Sequence, residues 1–445
     1  MKRLQKIFLL MSTLNYITIF FVGFTLYITV QRILDVNMAR AFLDTIVYLP
    51  GNVPSLESEK IVDHVKERFE KEYPNVEVTY IMGIRKEDYS QWLAKQALNG
   101  DLCDVYMVFS SDLATFSKTG LLENLDSYIE KDPDFDASKY FSSSYQVGEF
   151  GDHQFALPYE SVPTLMYVNK TLLEQEGLMI PSQDWTWHDF YEICHQVTKD
   201  IDGDGQLDQF GQYGYSWQNA LASNGRTIYN EEQERVDVNT KAMKESIEFV
   251  RSLERLNEGQ VVTSEMFDRG QVVFCPMKFS EYRTYKPYPW SVKKYSNFQW
   301  DCIPMPSGAL GGNVSELDTL LIGMSKTSTH KKAAWELLKK FSYDETTQKE
   351  LFTYSQGVSV LRTVTNAQII LDSLEDETPG ADQYNLDFFP SVMENAIPIK
   401  QFYGYEPLVE VVDNELRLLI SSNEMIEDGL SNLQKRIERV IESVN

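Results

Sequence analysis

The 445 residues carry 41 Lys and Arg against 66 Asp and Glu, a formal net charge of -25, with 43% hydrophobic residues. That apolar share can bury a real core and excludes a disordered chain. Such acidity repels phosphate backbones and argues against a nucleic-acid partner.

In chain order, Lys2, Arg3 and Lys6 precede a largely apolar run from Ile7 to Val30, interrupted by Ser12, Thr13 and Asn15. The run is about as long as the ~20 residues that span a bilayer. The leading cations hold the N-terminus inside, so the body is expected outside. An uncleaved signal anchor is favoured over a cleaved signal peptide. The nearest A-x-A, Ala39-Arg40-Ala41, is late, and the absence of a nearby cysteine excludes a lipoprotein anchor.

After it comes a β-then-α pattern. Thr45 to Leu49 reads as a strand, and Ile61, Val62, Val65 and Phe69 share one face of a helix that ends at Tyr73-Pro74. Val76 to Met82 alternates as a second strand. Asp104 to Phe109 is nearly all apolar, as a buried parallel strand is. Ala333, Ala334, Trp335, Leu337, Leu338 and Phe341 mark a later packed helix. Ile426, Leu430, Leu433, Ile437 and Ile441 mark the last one. Alternating strands and helices predict an α/β fold with a parallel sheet.

Cys103, Cys194, Cys275 and Cys302 form no CxxC. Cys275 and Cys302 are available to pair outside the cell, but spacing does not fix connectivity. There is no GxSxG, Walker loop or HExxH, so no catalysis is expected. His188 and His195, seven apart, read as a solvated helix face.

The sharpest local motif is Asp200-x-Asp202-x-Asp204-Gly205-Gln206-x-Asp208, matching positions 1, 3, 5, 6, 7 and 9 of a calcium loop. Alternate oxygens converge on a hard cation while Gly205 makes the turn. Position 12 is Gly211, so a complete site needs a carboxylate from elsewhere. The plainer reading is an Asp/Gly turn. A structural calcium is the expectation, since without a cation these carboxylates repel one another.

Several segments resemble the family-1 extracellular solute-binding proteins, the group that includes the maltose-binding type. They are FEKEYPNVEV from Phe69 to Val78; Asn99-Gly100-Asp101 with Asp104-Val105 and Gly120 to Leu125; and residues 157–190. In the last, Pro158, Tyr167, Asn169, Gly177, Pro181, Thr186, Trp187 and Phe190 follow the family pattern. Phe267 to Met277 and Ile303-Pro304-Met305-Pro306, followed by a Gly-rich loop, continue it. The chain departs from the family in lacking the lipoprotein cysteine and in Asp184-Trp185 before the Thr-Trp pair.

The resemblance implies a type II periplasmic-binding-protein-like fold of two α/β lobes with a ligand cleft between them. Residues 1–43 would be the anchor or signal, 44–158 and 304–355 the first lobe, and 159–303 and 356–445 the second. It implies a monomer that takes up a carbohydrate by cleft closure and delivers it to the permease of an ABC importer. The alternatives are a membrane-tethered sensor, or a binding protein for another solute such as a polyol phosphate or a peptide. The galactose-binding periplasmic proteins use a similar calcium loop with a distant Glu.

Ligand contacts are expected from Tyr159 and Glu160 after the hinge proline, and from Trp217 in the polar stretch YSWQNALASNG. Arg283 and Tyr285 beyond the strand at Phe274, Gly312 in a flexible loop, and Asp112 just past the third strand complete the set. Trp187 and Trp335 are expected to pack.

Overall fold

The computed structural model describes residues 56–82, 84, 86–230, 235–284, 298–355, 357–366, 387–398 and 405–444, and the backbone of 23–34 and 37–48. Strand β1 (Gly23–Leu34) pairs antiparallel with β2 (Asn37–Tyr48). Helix α1 (Leu56–Glu72) buries Ile61, Val62, Val65 and Phe69 completely, so the 3–4 residue spacing marks the face that packs. Tyr73 N–H closes the helix on Phe69 O at 2.8 Å before Pro74. Then come β3 (Val76–Met82), α2 (Lys86–Asn99), β4 (Val105–Phe109) and α3 (Ser110–Lys118). Thr45 and Ile46 of β2 pair parallel with Val105 and Tyr106 of β4, the crossover arrangement expected of β-α-β units.

The next strand, β5 (Ala156–Asn169), organises the molecule. All of its 14 residues are buried. Later segments pair with its edges or one strand further out: β6 (Phe210–Gln212) on β7 (Val272–Lys278), then β8 (Trp300–Ile303), β9 (Glu316–Met324), β10 (Val358–Ser359), and β11 (Ile397–Pro398) on β9. β9 pairs antiparallel with Ala156 to Pro163, and β7 with Thr164 to Val168. β8 pairs with Met166 to Asn169, and β10 with Glu160 and Ser161. β6 extends the sheet beyond β7, while β2, β3 and β4 extend it beyond β9. One continuous strand thus runs through two lobes, and its middle, between Pro163 and Thr164, is where its pairing partners change.

Several polar groups along β5 are satisfied, although the buried Tyr159 hydroxyl has no hydrogen-bond partner among the described residues. Ser161 Oγ meets Ser144 Oγ and Thr319 Oγ1, each at 2.9 Å. Gln348 Nε2 donates to Tyr159 O at 2.9 Å, and its Oε1 accepts from Ser359 Oγ at 2.8 Å. Alternation sends Leu165 and Tyr167 into the cluster shared with the first lobe, and Met166 and Val168 into the second lobe's core.

The second lobe is built on α4 (Trp187–Val197), α5 (Trp217–Ser223) and α6 (Lys241–Leu256). Thr186 and Asp189 form a capping box on α4, with Thr186 N–H donating to Asp189 Oδ2 at 2.8 Å. α7 (Lys331–Ser342) and α8 (Glu345–Tyr354) return to the first lobe, where α8 packs on α1. α9 (Tyr405–Ser421) and α10 (Ile426–Val444) pack on α6 of the second lobe. α10 buries Ile426, Leu430, Leu433 and Ile437, the stripe read from its sequence. Val358, Val360, Leu361, Val364, Phe388, Phe389, Val392 and Met393 join the large cluster shared by the first lobe and the edge strands of β5. Just past residue 355, where the sequence drew the limit of that lobe, Val358 and Ser359 pair with Ser161 and Glu160 of β5.

All four cysteines are buried, and no disulfide joins any of them. Cys275 and Cys302 face the same residue, Tyr167, from opposite edges of β5. Two strand spacings of about 4.8 Å put their Cα atoms near 10 Å, beyond the ~7 Å that a disulfide bridges, so the pairing that the sequence left open does not form. Of the apolar N-terminal run, residues 7–22 lie outside the described residues and 23–30 are extended in β1. Among the described residues no helix is long and apolar enough to cross a membrane.

Candidate functional site

The middle of β5 forms a floor between the lobes. Val162 and Thr164 project to one face by the two-residue period of the strand. Their cross-strand partners are Asp318 on one edge and Lys278 on the other, so these side chains share that face. Lys278 Nζ donates to Asp318 Oδ2 at 2.7 Å. Glu316, two residues before Asp318 on β9, stands on the same face. Partial burial pushes its carboxyl up to about 7, with Lys278 pulling it down and Asp318 pushing it further up. Burial opposes the Lys278 charge, but Asp318, Glu316 and Glu281 outweigh it and raise that ammonium's pKa.

Beside the floor lies a cavity of about 30 Å³ whose walls come from both lobes. Trp217, Arg226 and Tyr229 enter from the second lobe, Glu316 and Pro398 from the β9–β11 edge, and Tyr405 from α9. Trp217 is the first residue of α5, whose start is fixed by the Ser216–Asn219 capping box. Its Nε1 donates to Asp413 Oδ1 at 3.0 Å, which leaves part of the ring to line the cavity. The second crossover, residues 304–315, packs on the end of α5. A Cβ at Gly311 would lie 2.2 Å from Ser223 O, and Asn224 Oδ1 accepts from Leu310 N–H at 2.7 Å.

The structure sorts the residues expected from sequence. Trp217 reaches the cavity. Asp112 sits in the first turn of α3, partly exposed at the end of β4, with Ser90 Oγ donating to its Oδ2 at 2.5 Å. Gly312 lies in the crossover loop but does not line the cavity. Tyr285 and the side chain of Arg283 lie outside the described residues.

Tyr159 and Glu160 are corrected: both are buried, at 0% and 1% exposure. Tyr159 stands edge-on to Phe341 at a ring separation of 6.0 Å. Glu160 Oε2 accepts from Ser355 Oγ and is roofed by Gly357. The cause is that β5 is covered on both faces, and that the register shifts between Leu320 and Leu321, opposite this pair. Lys278, Glu316, Asp318, Tyr229 and Tyr405 were missed from sequence. Two charges at alternate positions opening an apolar strand, ELDTLLIGM, are the signal that could have found Glu316 and Asp318.

The acidic loop is separate from this site. Carboxylate oxygens of Asp200, Asp202 and Asp208 lie within 4.8 Å of one another. Asp204 stands outside that trio, with Oδ1 accepting from Gln206 N–H at 2.8 Å. Asp200 accepts from Gly203 N–H at 2.7 Å and Gly205 N–H at 2.8 Å, and these bonds hold its carboxyl below its usual value. Gly203 and Gly205 have φ of 79° and 90°, the left-handed turns that draw the loop inward. Gly211 at position 12 packs so closely that a Cβ would lie 2.4 Å from Cys194 Cβ, so no acid fits there. Three hard oxygen donors at this spacing suit a calcium ion. His188 and His195 are exposed on α4, as a solvated face requires.

The sequence profile of the bacterial extracellular solute-binding proteins matches residues 54–347. Among solved structures, the sugar-binding protein MalE of Xanthomonas citri is 15% identical, covering 87% of this chain and 95% of its own, with a TM-score of 0.72. A sugar transporter of Rhizobium etli in an open conformation is 16% identical over 88% of this chain and 98% of its own, at 0.71. An ABC substrate-binding protein of Listeria monocytogenes in complex with cycloalternan is 20% identical over 87% and 97%, at 0.65. At these identities the likeness shows the two-lobed fold, while the profile match spans well over half of the chain. The chain belongs to the bacterial extracellular solute-binding proteins.

Proposed function

We propose that this protein captures a carbohydrate between its lobes and delivers it to the permease of an ABC importer. The observation that carries the reading is the cavity where Trp217, Tyr229 and Tyr405 surround Glu316 at the lobe junction. Aromatic rings offer flat apolar faces to sugar rings, and charged groups pair with hydroxyls. Three solved proteins of the same fold are described as sugar-binding, sugar-transporting or cycloalternan-bound.

The action is physical. Ligand draws the lobes together by a hinge at the middle of β5, and the closed form is what the permease reads. No catalytic step is assigned. The chain acts as a monomer at the outer face of the membrane; an uncleaved anchor over the apolar run from Ile7 to Val30 requires residues 23–30 to leave β1. Asp200, Asp202 and Asp208, with oxygens from Asp204 and Gln206, hold a structural calcium away from the cleft.

A thermal-shift screen of mono- and oligosaccharides tests the reading. A ligand at a hundred times its dissociation constant adds about 2.7 kcal/mol. A rise confined to one glycan class supports it. A cooperative melt unmoved by every sugar overturns it in favour of another solute or a sensing role.

A further inference from the structure

The floor of the cleft is unevenly charged. Its one described ammonium, Lys278, is taken by Asp318 at 2.7 Å. Glu281 and Glu316 add two further carboxylates that act on the same ammonium. Among the described residues no ion pair closes on Glu316, although it lines the cavity. Arg226, the cation on the opposite wall, is exposed and turns Nη1 back to Gly225 O at 2.8 Å. Tyr229 and Tyr405 complete the titratable groups of that wall.

We infer that the cleft selects a sugar bearing a protonated amine, recognised by Glu316 within the rings of Trp217, Tyr229 and Tyr405, resting on the carbohydrate reading above. A cation gains from a carboxylate through a charge-assisted hydrogen bond and from aromatic faces through the ring quadrupole. The cavity, about 30 Å³, has room for a small group such as an ammonium. Arg226 favours hydroxyl oxygens on the far side, which places the amine toward the floor. An anionic sugar meets the surplus carboxylates and is rejected. The raised Glu316 carboxyl, about 7, fits an acid that still awaits its cation.

The test is calorimetry on the full chain purified in detergent, at about pH 6.5, below the Glu316 value of about 7. The probes are glucosamine, galactosamine and their α- and β-linked oligomers, each beside its hydroxyl and N-acetyl counterparts. Phosphate and imidazole buffers differ in ionisation heat. The expected result is an amine-bearing sugar that binds about tenfold tighter than its neutral counterpart. Its heat differs between the buffers because Glu316 releases its proton.

Glu316→Gln brings the affinity ratio toward one. Asp318→Asn does so independently, by freeing Lys278 to turn to Glu316. A neutral sugar that binds as well as or better than its amine counterpart overturns the inference and leaves the carbohydrate reading standing. Amine binding without proton release, or a ratio untouched by both variants, overturns the assignment to Glu316. Failure of every sugar, neutral or amine, overturns both.

Discussion

Lys278 Nζ lies 2.7 Å from Asp318 Oδ2, joining the end of β7 to the start of β9 across the middle of β5. The pair therefore spans the hinge. Both side chains are nearly half exposed, at 49% and 43%, so water screens the attraction. Exposed pairs are worth about 0–1 kcal/mol. A double-mutant cycle of Lys278→Ala and Asp318→Ala is expected to return a coupling below about 1 kcal/mol in unfolding. The larger effect is expected in the separation of the lobes, read by small-angle scattering of the ligand-free protein. A coupling of several kcal/mol would mean that the pair is buried far more deeply than described here.

Glu316 ties stability to pH. Its carboxyl, raised from 4.5 to about 7, holds its proton more tightly when folded. That contribution is fully present below the unfolded value and is lost as pH rises through about 7. Asp301, raised to about 6 by burial against the pull of Cys302 N–H and Lys170, acts with the same sign. Glu316→Gln removes one of the two titrations. The melting midpoint of the variant, relative to the native chain, is expected to climb from pH 5 to pH 8, because only the native chain must ionise there. A flat difference would sink the assignment.

Much of the fold was legible because it rests on periodicity. The faces of α1 and α10 and the buried run of β4 were read from apolar spacing, and each packs as read. The site was harder to read, because it is made where distant segments meet. Tyr159 and Glu160 follow the hinge proline and carry suitable chemistry. Whether they face the cleft depends on a register shift and on the roof at Ser355 and Gly357, which lie nearly two hundred residues away. Trp217 was singled out as a large ring in a small, polar stretch; it packs with Leu221, Ile228 and Met243 in the second lobe and also stands on the cavity wall. Lys278 and Asp318 sit in strands that read as core, and only the pairing of both with β5 brings them together.

Calcium is expected to raise the melting midpoint, and chelation to lower it. Asp202→Asn is the informative change. Asn keeps the Oδ1 acceptor that receives Asp204 N–H at 3.0 Å and removes only the charge. The turn should survive while the ion is lost. Calcium at a hundred times its dissociation constant adds about 2.7 kcal/mol to the native chain and much less to the variant. Equal midpoints with calcium and with chelator in the native chain would leave the loop as a plain turn.

Neighbouring glycines in the second crossover should respond oppositely to the same change. At Gly311 a Cβ would lie 2.2 Å from Ser223 O and 2.6 Å from Gly225 N, both backbone atoms that cannot swing aside. At Gly312 it would meet only Val314 Cγ2, at an ordinary 3.6 Å. Gly311→Ala is expected to cost about 1–3 kcal/mol in chemical denaturation, and Gly312→Ala to stay within about 0.5 kcal/mol. Because the loop lies on the end of α5, Gly311→Ala should also weaken ligand binding by displacing Trp217. Equal costs at the two positions would show that the loop is not seated on α5.

Trp217 separates anchoring from ligand contact. Its Nε1 bond to Asp413 is 3.0 Å, and Asp413 also accepts from Arg417 Nε at 2.7 Å, so the carboxylate keeps a partner when the indole is lost. Trp217→Phe is therefore expected to cost only about 1 kcal/mol in stability. Trp217→Ala removes the ring from its packing and is expected to cost about 3–5 kcal/mol. Ligand affinity should follow the ring: modestly weaker with Phe, lost with Ala at temperatures where the variant stays folded. Tryptophan fluorescence gives an independent readout, since a ligand in the cavity displaces water from this indole. The ligand-induced change should therefore shrink in Trp217→Phe. A change of undiminished size would place the ligand away from the cavity that Trp217 shares with Glu316.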